Sequence, residues 1–329
     1  MLDLCPASLA DIIENLPYGK GSDSRREEWR AIAQGFDAKK AMKQIASGLE
    51  HLHGLGLVHR DIRPRNILIS PSSLRGKHKM LISNFGLCTN LDEDQSSFSP
   101  TTNGAMAAGT AGWQAPEMLL GDDKLDELSV GDDSISSQGN QASTINGSSS
   151  GAMRPRLTKS VDIFALGCLF HYIFMEGKHP FGDRDHREAN IVKDKKDLSL
   201  LHSKEEEAYD LITRMIRPQP SQRPDIETCL LHPFFWDAAK RLGFLRKASD
   251  RFEIMCKGPP MDKGLERLER DAESIVGSDW HQTLDPSSDQ ILLRDLRRSR
   301  TYDGRSVRDL LRVLRNKVSN FLFISFRFV

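Results

Sequence analysis

Residues 58–86 constrain this chain more than any other stretch. They read V-H-R-D-I-R-P-R-N-I-L-I-S, then a turn from Pro71 to Lys79, then M-L-I-S-N-F-G. An apolar run, a polar octet and a second apolar run predict a loop held between short strands. Its side chains therefore face one small region, where chemistry becomes possible.

The order of these residues resembles the protein-kinase signature, H-R-D-L-x-x-x-N followed by D-F-G. Several ordered positions with a correctly spaced second motif carry far more information than a lone glycine fingerprint. The resemblance implies that Asp61 accepts or orients the proton of an attacking hydroxyl, and that Asn66 holds magnesium. It implies that Arg63 touches the transferred phosphate, where most serine/threonine kinases carry lysine, and a planar guanidinium is not a compact ammonium. His59, Arg60, Phe85 and Gly86 are expected in structural roles. Asn84 is the larger departure, because it stands where kinases place the aspartate of D-F-G. Magnesium prefers carboxylate oxygens, and a neutral amide offers one weaker oxygen without charge. Asn66 and Asn84 together would make a weakened metal site, so a pseudokinase is expected. ATP or ADP with Mg2+ is the cofactor set that the resemblance implies.

Composition excludes several classes. Lys and Arg number 46 against 46 Asp and Glu, so net charge names no partner. The five cysteines (Cys5, Cys88, Cys168, Cys229, Cys256) form no C-x-x-C pair. Reduced thiols in a cytosolic setting are expected, not a disulfide framework or zinc site. No apolar run approaches the roughly 20 residues of a membrane helix, so the chain is expected to be soluble and cytoplasmic.

Taken in order, L-D-L-C-P at the start falls where a kinase chain crosses from its upper lobe. Backbone near Leu4 and Cys5 would then face an adenine ring. No glycine-rich loop, V-A-I-K lysine or helix glutamate precedes them in these 329 residues, so only the lower kinase lobe is expected. Ala7 to Leu16 reads as a short helix. Asp37 is expected to cap a longer one, with Ala38, Ala41, Met42, Ile45, Ala46, Leu49 and Leu52 at helical spacing and Gly54 and Gly56 as the stop. His51 and His53 read as surface residues of that helix. After Gly86 comes an activation-type segment ending in Ala115, Pro116 and Glu117. Ser96, Ser97, Ser99, Thr101 and Thr102 are candidate phosphorylation sites within it. Glu117 is expected to pair with a buried Arg223. Residues 121–153 shift to Gly, Ser, Asp, Asn and Gln, a low-complexity insertion. At Ser160 the apolar run V-D-I-F-A-L-G-C-L-F predicts a buried helix from which Asp162 braces the catalytic loop.

A lobe of this type is complete by Trp236, yet the chain continues. Helical periodicity returns over Leu242 to Cys256 and Leu265 to Ile275. Then come G-S-D-W-H (277–281), R-T-Y-D-G (300–304) and S-V-R-D-L-L-R-V-L-R-N-K (306–317). Together with N-F-G-L-C in place of D-F-G-L-C, these motifs resemble the inositol-requiring family of transmembrane kinase/endoribonucleases, the unfolded-protein-response sensors of fungal type. The 2-5A-dependent ribonuclease shares the architecture. The resemblance implies that Tyr302, Arg315 and Asn316 line a ribonuclease site acting on stem-loop RNA, in a homodimer or oligomer at the cytosolic face of the endoplasmic reticulum membrane. The family's proton-transfer histidine would fall near Asn320, and no histidine follows His281. Independently of any resemblance, residues 290–317 carry nine Arg or Lys against three Asp, a basic stretch suited to a phosphate backbone. The alternative is a non-catalytic interaction module.

The expected fold is thus mainly α with short β elements: a kinase lower lobe (1–237) fused to a partial all-helical nuclease extension (238–317), with a divergent tail (318–329).

Overall fold

The computed structural model describes residues 4–14, 24–71, 78–91, 112–120, 158–255, 262–283 and 302–317. The chain divides into two compact units, Met1–Phe235 and Trp236–Val329. Both are largely helical, with short strands in the first.

The first unit opens on strand β1 (Ala7–Ser8), followed by helix α1 (Leu9–Glu14). The sequence reading put Ala7 and Ser8 inside the helix; the structure corrects this. Ser8 caps instead. Its N–H and hydroxyl both donate to Asp11 Oδ2, at 2.9 and 2.7 Å, and its Oγ accepts from Asp11 N–H at 3.3 Å. That reciprocal pairing starts the helix one residue later. Helix α2 (Ser24–Gln34) had no expectation attached. Trp29 Nε1 donates to Pro6 O at 3.1 Å, and Ile32 packs with Ala7, Ile12 and Ile69 in a small satellite core.

Helix α3 (Ala38–Gly54) follows Asp37, whose side chain accepts from Lys40 N–H at 3.0 Å. Ala41, Met42, Ile45, Ala46, Leu49 and Leu52 form its buried face. Gly56, at φ 75°, then turns the chain into β2 (Leu57–Val58). After the octet come β3 (Ile67–Ile69), β4 (Met80–Ile82) and β5 (Thr89–Asn90). Strand β3 is the centre of an antiparallel β1-β3-β4 sheet, with Ala7 opposite Ile69 and Ile67 opposite Ile82. Strand β2 pairs separately with β5. The octet therefore spans the gap between two small sheets, each of which fixes one of its ends.

Next come α4 (Pro116–Leu120), α5 (Ser160–Phe174), α6 (Arg187–Val192), α7 (Ser199–Lys204), α8 (Glu206–Met215) and α9 (Ile226–Leu231). Every residue of α5 from Val161 to Ile173 is buried, as expected of a helix apolar all round. Gly167 permits this. A Cβ there would fall 2.6 Å from Ile216 Cγ2 and 2.8 Å from Met215 Cβ. The thiols of Cys168 and Cys229 lie in this core, and burial pushes both upward, so they pack as apolar groups.

The second unit contains α10 (Ala238–Met255), α11 (Lys263–Arg270), α12 (Ala272–Val276) and α13 (Val307–Lys317). The single helical run read over 265–275 is two helices, parted at Asp271 (φ −95°, ψ 13°). Ser274 N–H and Oγ both donate to the Asp271 carbonyl, which makes a tighter turn at the junction. Val276, Trp280, Val307, Leu310, Leu311, Val313 and Leu314 build this unit's own core, with Tyr302 packed at its edge. Among the described residues, no helix is long and apolar enough to cross a membrane.

Candidate active site

The octet is held from below by Asp162 on α5. Its Oδ1 accepts from Arg60 N–H at 2.7 Å, and its Oδ2 accepts from His59 N–H at 2.8 Å. His53 Nε2 donates to Oδ2 as well, at 3.0 Å. The sequence reading placed His53 on the helix surface; it is 4% exposed. The reason is that its partner sits 109 positions away, on a helix that only folding brings near. Arg60 takes φ 67°, a strained conformation for its type, and the Asp162 brace on its N–H fixes it. His59 Nε2 donates to Ser83 O at 3.0 Å while its Nδ1 accepts from Asp61 N–H at 3.2 Å, so one tautomer serves both bonds. The same ring meets Phe85 edge-on at 5.4 Å, tying the octet to N-F-G.

Asp61 is 4% exposed and sits at the centre of a three-residue network. Asn66 Nδ2 donates to Asp61 Oδ2 at 2.6 Å and to Asp61 O at 2.7 Å. Asn84 Nδ2 donates to Asp61 Oδ2 at 3.4 Å and to Asn66 Oδ1 at 3.3 Å. Arg63 Nε stands 3.4 Å from Asp61 Oδ1 as an ion pair. Asp61, Arg63, Asn66 and Asn84, read as catalytic or metal-holding, are thus brought together. Asn84 has φ 66° and ψ 67°, the left-handed region, which Asn tolerates better than most residues.

These residues do not fit magnesium. A hard divalent ion wants several oxygens, carboxylates foremost. Here the only carboxylate of the network, Asp61, already accepts two amide bonds and pairs with Arg63. The Asn66 oxygen accepts from Asn84, and Asn84 presents its nitrogen, not its oxygen. Reversing the Asn84 amide would set three acceptor oxygens against each other. Among the described residues, no cluster of three or more His, Cys, Asp or Glu could hold a metal. Of the positions read as meeting adenine, Leu4 is 91% exposed and Cys5 is half-buried. Phe85 is half exposed, and Gly86 lies in the short 3-10 turn that follows Asn84.

Glu117 and Arg223 are both buried and meet in a bidentate pair. Ser96, Ser97, Ser99, Thr101 and Thr102 lie outside the described residues, as do the 121–153 insertion and the 318–329 tail.

In the second unit, the S-D-W-H turn packs on the Y-D-G turn. Trp280 N–H donates to Gly304 O at 2.9 Å, and Trp280 Nε1 to Asp303 O at 3.1 Å. Glu269 caps α13, accepting from Ser306 Oγ at 2.9 Å and Arg308 N–H at 2.8 Å. Of the basic run, Arg308, Arg312 and Arg315 are described and paired with carboxylates. Glu253 on α10 accepts from Arg308 Nε at 3.1 Å and from Arg312 Nε at 2.6 Å, and Arg315 lies 3.6 Å from Asp250. Arg312, then Arg308, hold the Glu253 carboxyl down at about 2. Sequence alone suggests open cations here, because Glu253 and Asp250 lie over fifty positions earlier; the one near partner is Asp309, which accepts from Arg312 Nη1 at 2.9 Å. Arg315 Nε donates to the exposed Asn316 Oδ1 at 3.1 Å, while Tyr302 is half-buried at the core edge.

The chain matches the protein kinase domain family over residues 7–131 and 153–235, and the Ribonuclease 2-5A family over residues 241–322. It is 39% identical over 325 residues to the serine/threonine-protein kinase/endoribonuclease IRE1 of Hypocrea jecorina (strain QM6a), covering 97% of this chain and 25% of that protein. Identity is also 39% over 325 residues to the sensor for unfolded proteins in the ER ire1 of Schizosaccharomyces pombe (strain 972 / ATCC 24843), covering 96% and 27%. The human serine/threonine-protein kinase/endoribonuclease IRE2 is 35% identical over 319 residues, covering 96% and 29%. The chain thus spans between 25% and 29% of the length of these three relatives. With a kinase lobe, a ribonuclease-type extension and this likeness along nearly its whole length, the chain belongs to the IRE1 family of kinase/endoribonucleases.

Proposed function

We propose that this chain forms part of the output side of an unfolded-protein sensor, at the cytosolic face of the endoplasmic reticulum membrane. In this reading its kinase lobe is a scaffold, and its extension meets stem-loop RNA within a homodimer or larger oligomer. The observation that carries the reading is the Asn84 amide, which occupies the acceptors of Asp61 and Asn66 that a magnesium-bound nucleotide would need. Family membership speaks for ATP and Mg2+ in general, and Asn84 speaks against magnesium-held ATP here. Tyr302, Arg315 and Asn316 are the residues assigned to RNA by family resemblance. Arg315 is partly engaged by Asp250, so its availability to phosphate depends on breaking a long ion pair.

The test is to incubate the 329-residue chain with radiolabelled ATP and Mg2+, beside Asp61→Ala. No incorporation above the variant is expected. Incorporation that disappears in Asp61→Ala overturns the scaffold reading. On the RNA side, a hairpin is expected to bind with affinity falling steeply with salt and to stay uncut. A cut at one loop position, abolished by Tyr302→Phe, would assign the extension an enzyme's role.

A non-catalytic interaction module is the second reading. Leu4, Leu81, Phe85 and Leu87 are large apolar side chains exposed in the first unit, which favours a covered, partner-bound state.

A further inference from the structure

Asn84 Nδ2 carries two protons and meets two acceptors, Asp61 Oδ2 at 3.4 Å and Asn66 Oδ1 at 3.3 Å. Asn66 Nδ2 likewise spends both protons on Asp61, one on the carboxylate and one on the backbone carbonyl. The three side chains close into a ring of donors and acceptors in which no amide proton is left over. The partial positive charge of the Asn84 amide sits where the octet and the N-F-G turn converge. We propose that the Asn84 amide is a built-in replacement for a divalent cation, joining Asp61 and Asn66 to the N-F-G turn so that this assembly needs neither magnesium nor nucleotide.

The inference rests on the reading that this lobe is not a magnesium-dependent phosphotransferase, and it goes further by giving the altered residue a job of its own. Loss of a metal ligand without replacement would leave Asp61 Oδ2 and Asn66 Oδ1 with no donor from the N-F-G turn, although Asn66 Nδ2 would still hold Asp61 Oδ2 at 2.6 Å. The octet would then lose one of its side-chain ties to the turn. The Asn84 amide supplies that tie at no cost in net charge. The backbone at Asn84 is already left-handed, a conformation that Asp also tolerates, so aspartate can be restored without strain. It would place a second carboxylate about 3.4 Å from Asp61. Two such carboxylates demand either a shared proton or a cation.

The experiment is thermal unfolding of the full chain in EDTA and in excess Mg2+, for the wild type, Asn84→Asp and Asn84→Ala. The wild type is expected to melt at the same temperature in both buffers. Asn84→Asp is expected to melt several degrees lower in EDTA and to regain the loss, saturably, with Mg2+. Asn84→Ala is expected to melt lower in both. A wild type that gains several degrees with Mg2+, or an Asn84→Ala variant that melts like the wild type in EDTA, overturns the proposal. Should Asn84→Asp fail to fold, the side-chain amide resonances of Asn84 in the wild type decide. Slow proton exchange, unchanged by Mg2+, supports the bridge, and fast exchange overturns it. The two readings fail separately. Phosphate transfer by a chain whose melting ignores Mg2+ sinks the scaffold function alone, whereas a Mg2+-stabilised but inactive wild type sinks the bridge alone.

Discussion

Glu117 and Arg223, 106 positions apart, meet in a bidentate pair with Arg223 Nη1 at 2.6 Å and Nη2 at 2.8 Å from the two carboxylate oxygens. The remaining guanidinium donors reach the carbonyls of Ser160, Arg217 and Pro218, at 3.0, 2.7 and 2.8 Å. The face of the guanidinium lies 5.0 Å from the Phe164 ring centre. One side chain thus ties the end of the activation-type segment to α5 and to the loop before α9. Because all five N–H groups are used inside the protein, no smaller cation can replace it.

Arg223→Met should therefore leave Glu117 as an uncompensated buried charge. A loss of about 3–5 kcal/mol is expected in urea unfolding of the first unit's transition. A loss below about 1 kcal/mol would mean that Glu117 reaches water in the folded state.

Glu253 gives a pH-dependent test in the second unit. Its folded carboxyl titrates at about 2, against an ordinary value of 4.5. A group depressed on folding contributes stability above its unfolded value and loses it as pH falls through the folded one. The contribution is then complete above about pH 4.5 and gone near pH 2. The side chain is 27% exposed at the surface of the unit, so solvent screening holds its worth to about 1 kcal/mol. Glu253→Gln should lower the stability of the second unit near neutral pH and converge with the wild type in strong acid. Equal stability at pH 7 would show the arginine pairs to be idle.

Gly304 allows the two turns of the extension to touch. A Cβ there would overlap Asp279 Oδ1 and lie 2.6 Å from His281 Nδ1. Gly304→Ala must therefore displace the Asp279 carboxylate, which accepts from both His281 N–H and His281 Nδ1. A destabilisation of about 1–3 kcal/mol is expected from such overpacking. An unchanged denaturation midpoint would show that the turns part easily.

The first unit was legible where local pattern and motif agree. The octet between strands, the Asp37 cap and the buried α5 follow from short-range signals, whereas Ala7 and Ser8 read as helix because their strand partners Ile69 and Leu68 lie some sixty positions away. His53 was not legible, because a histidine in the last turn of a helix gives no hint of a carboxylate more than a hundred positions away. Helix α2 was not singled out, since its apolar residues are few and it is anchored chiefly by Trp29 and Ile32. In the extension, the arginines of α13 read as an open basic face. Their partners Glu253 and Asp250 belong to α10, and only the packing of α10 against α13 reveals the pairing. Asn84 was legible as a departure from D-F-G, but its two donated bonds were not. Sequence names the amide without saying which end faces the aspartate.

The role of Asn84 is most directly tested by soaking crystals of the chain in Mn2+, which takes magnesium's ligands and scatters anomalously. No anomalous peak is expected among Asp61, Asn66 and Asn84 in the wild type, whereas Asn84→Asp should show one there. A peak in the wild type, coordinated by Asn66 Oδ1 and a reversed Asn84 amide, would contradict the cation-replacing role and restore the lobe as a metal-binding kinase site.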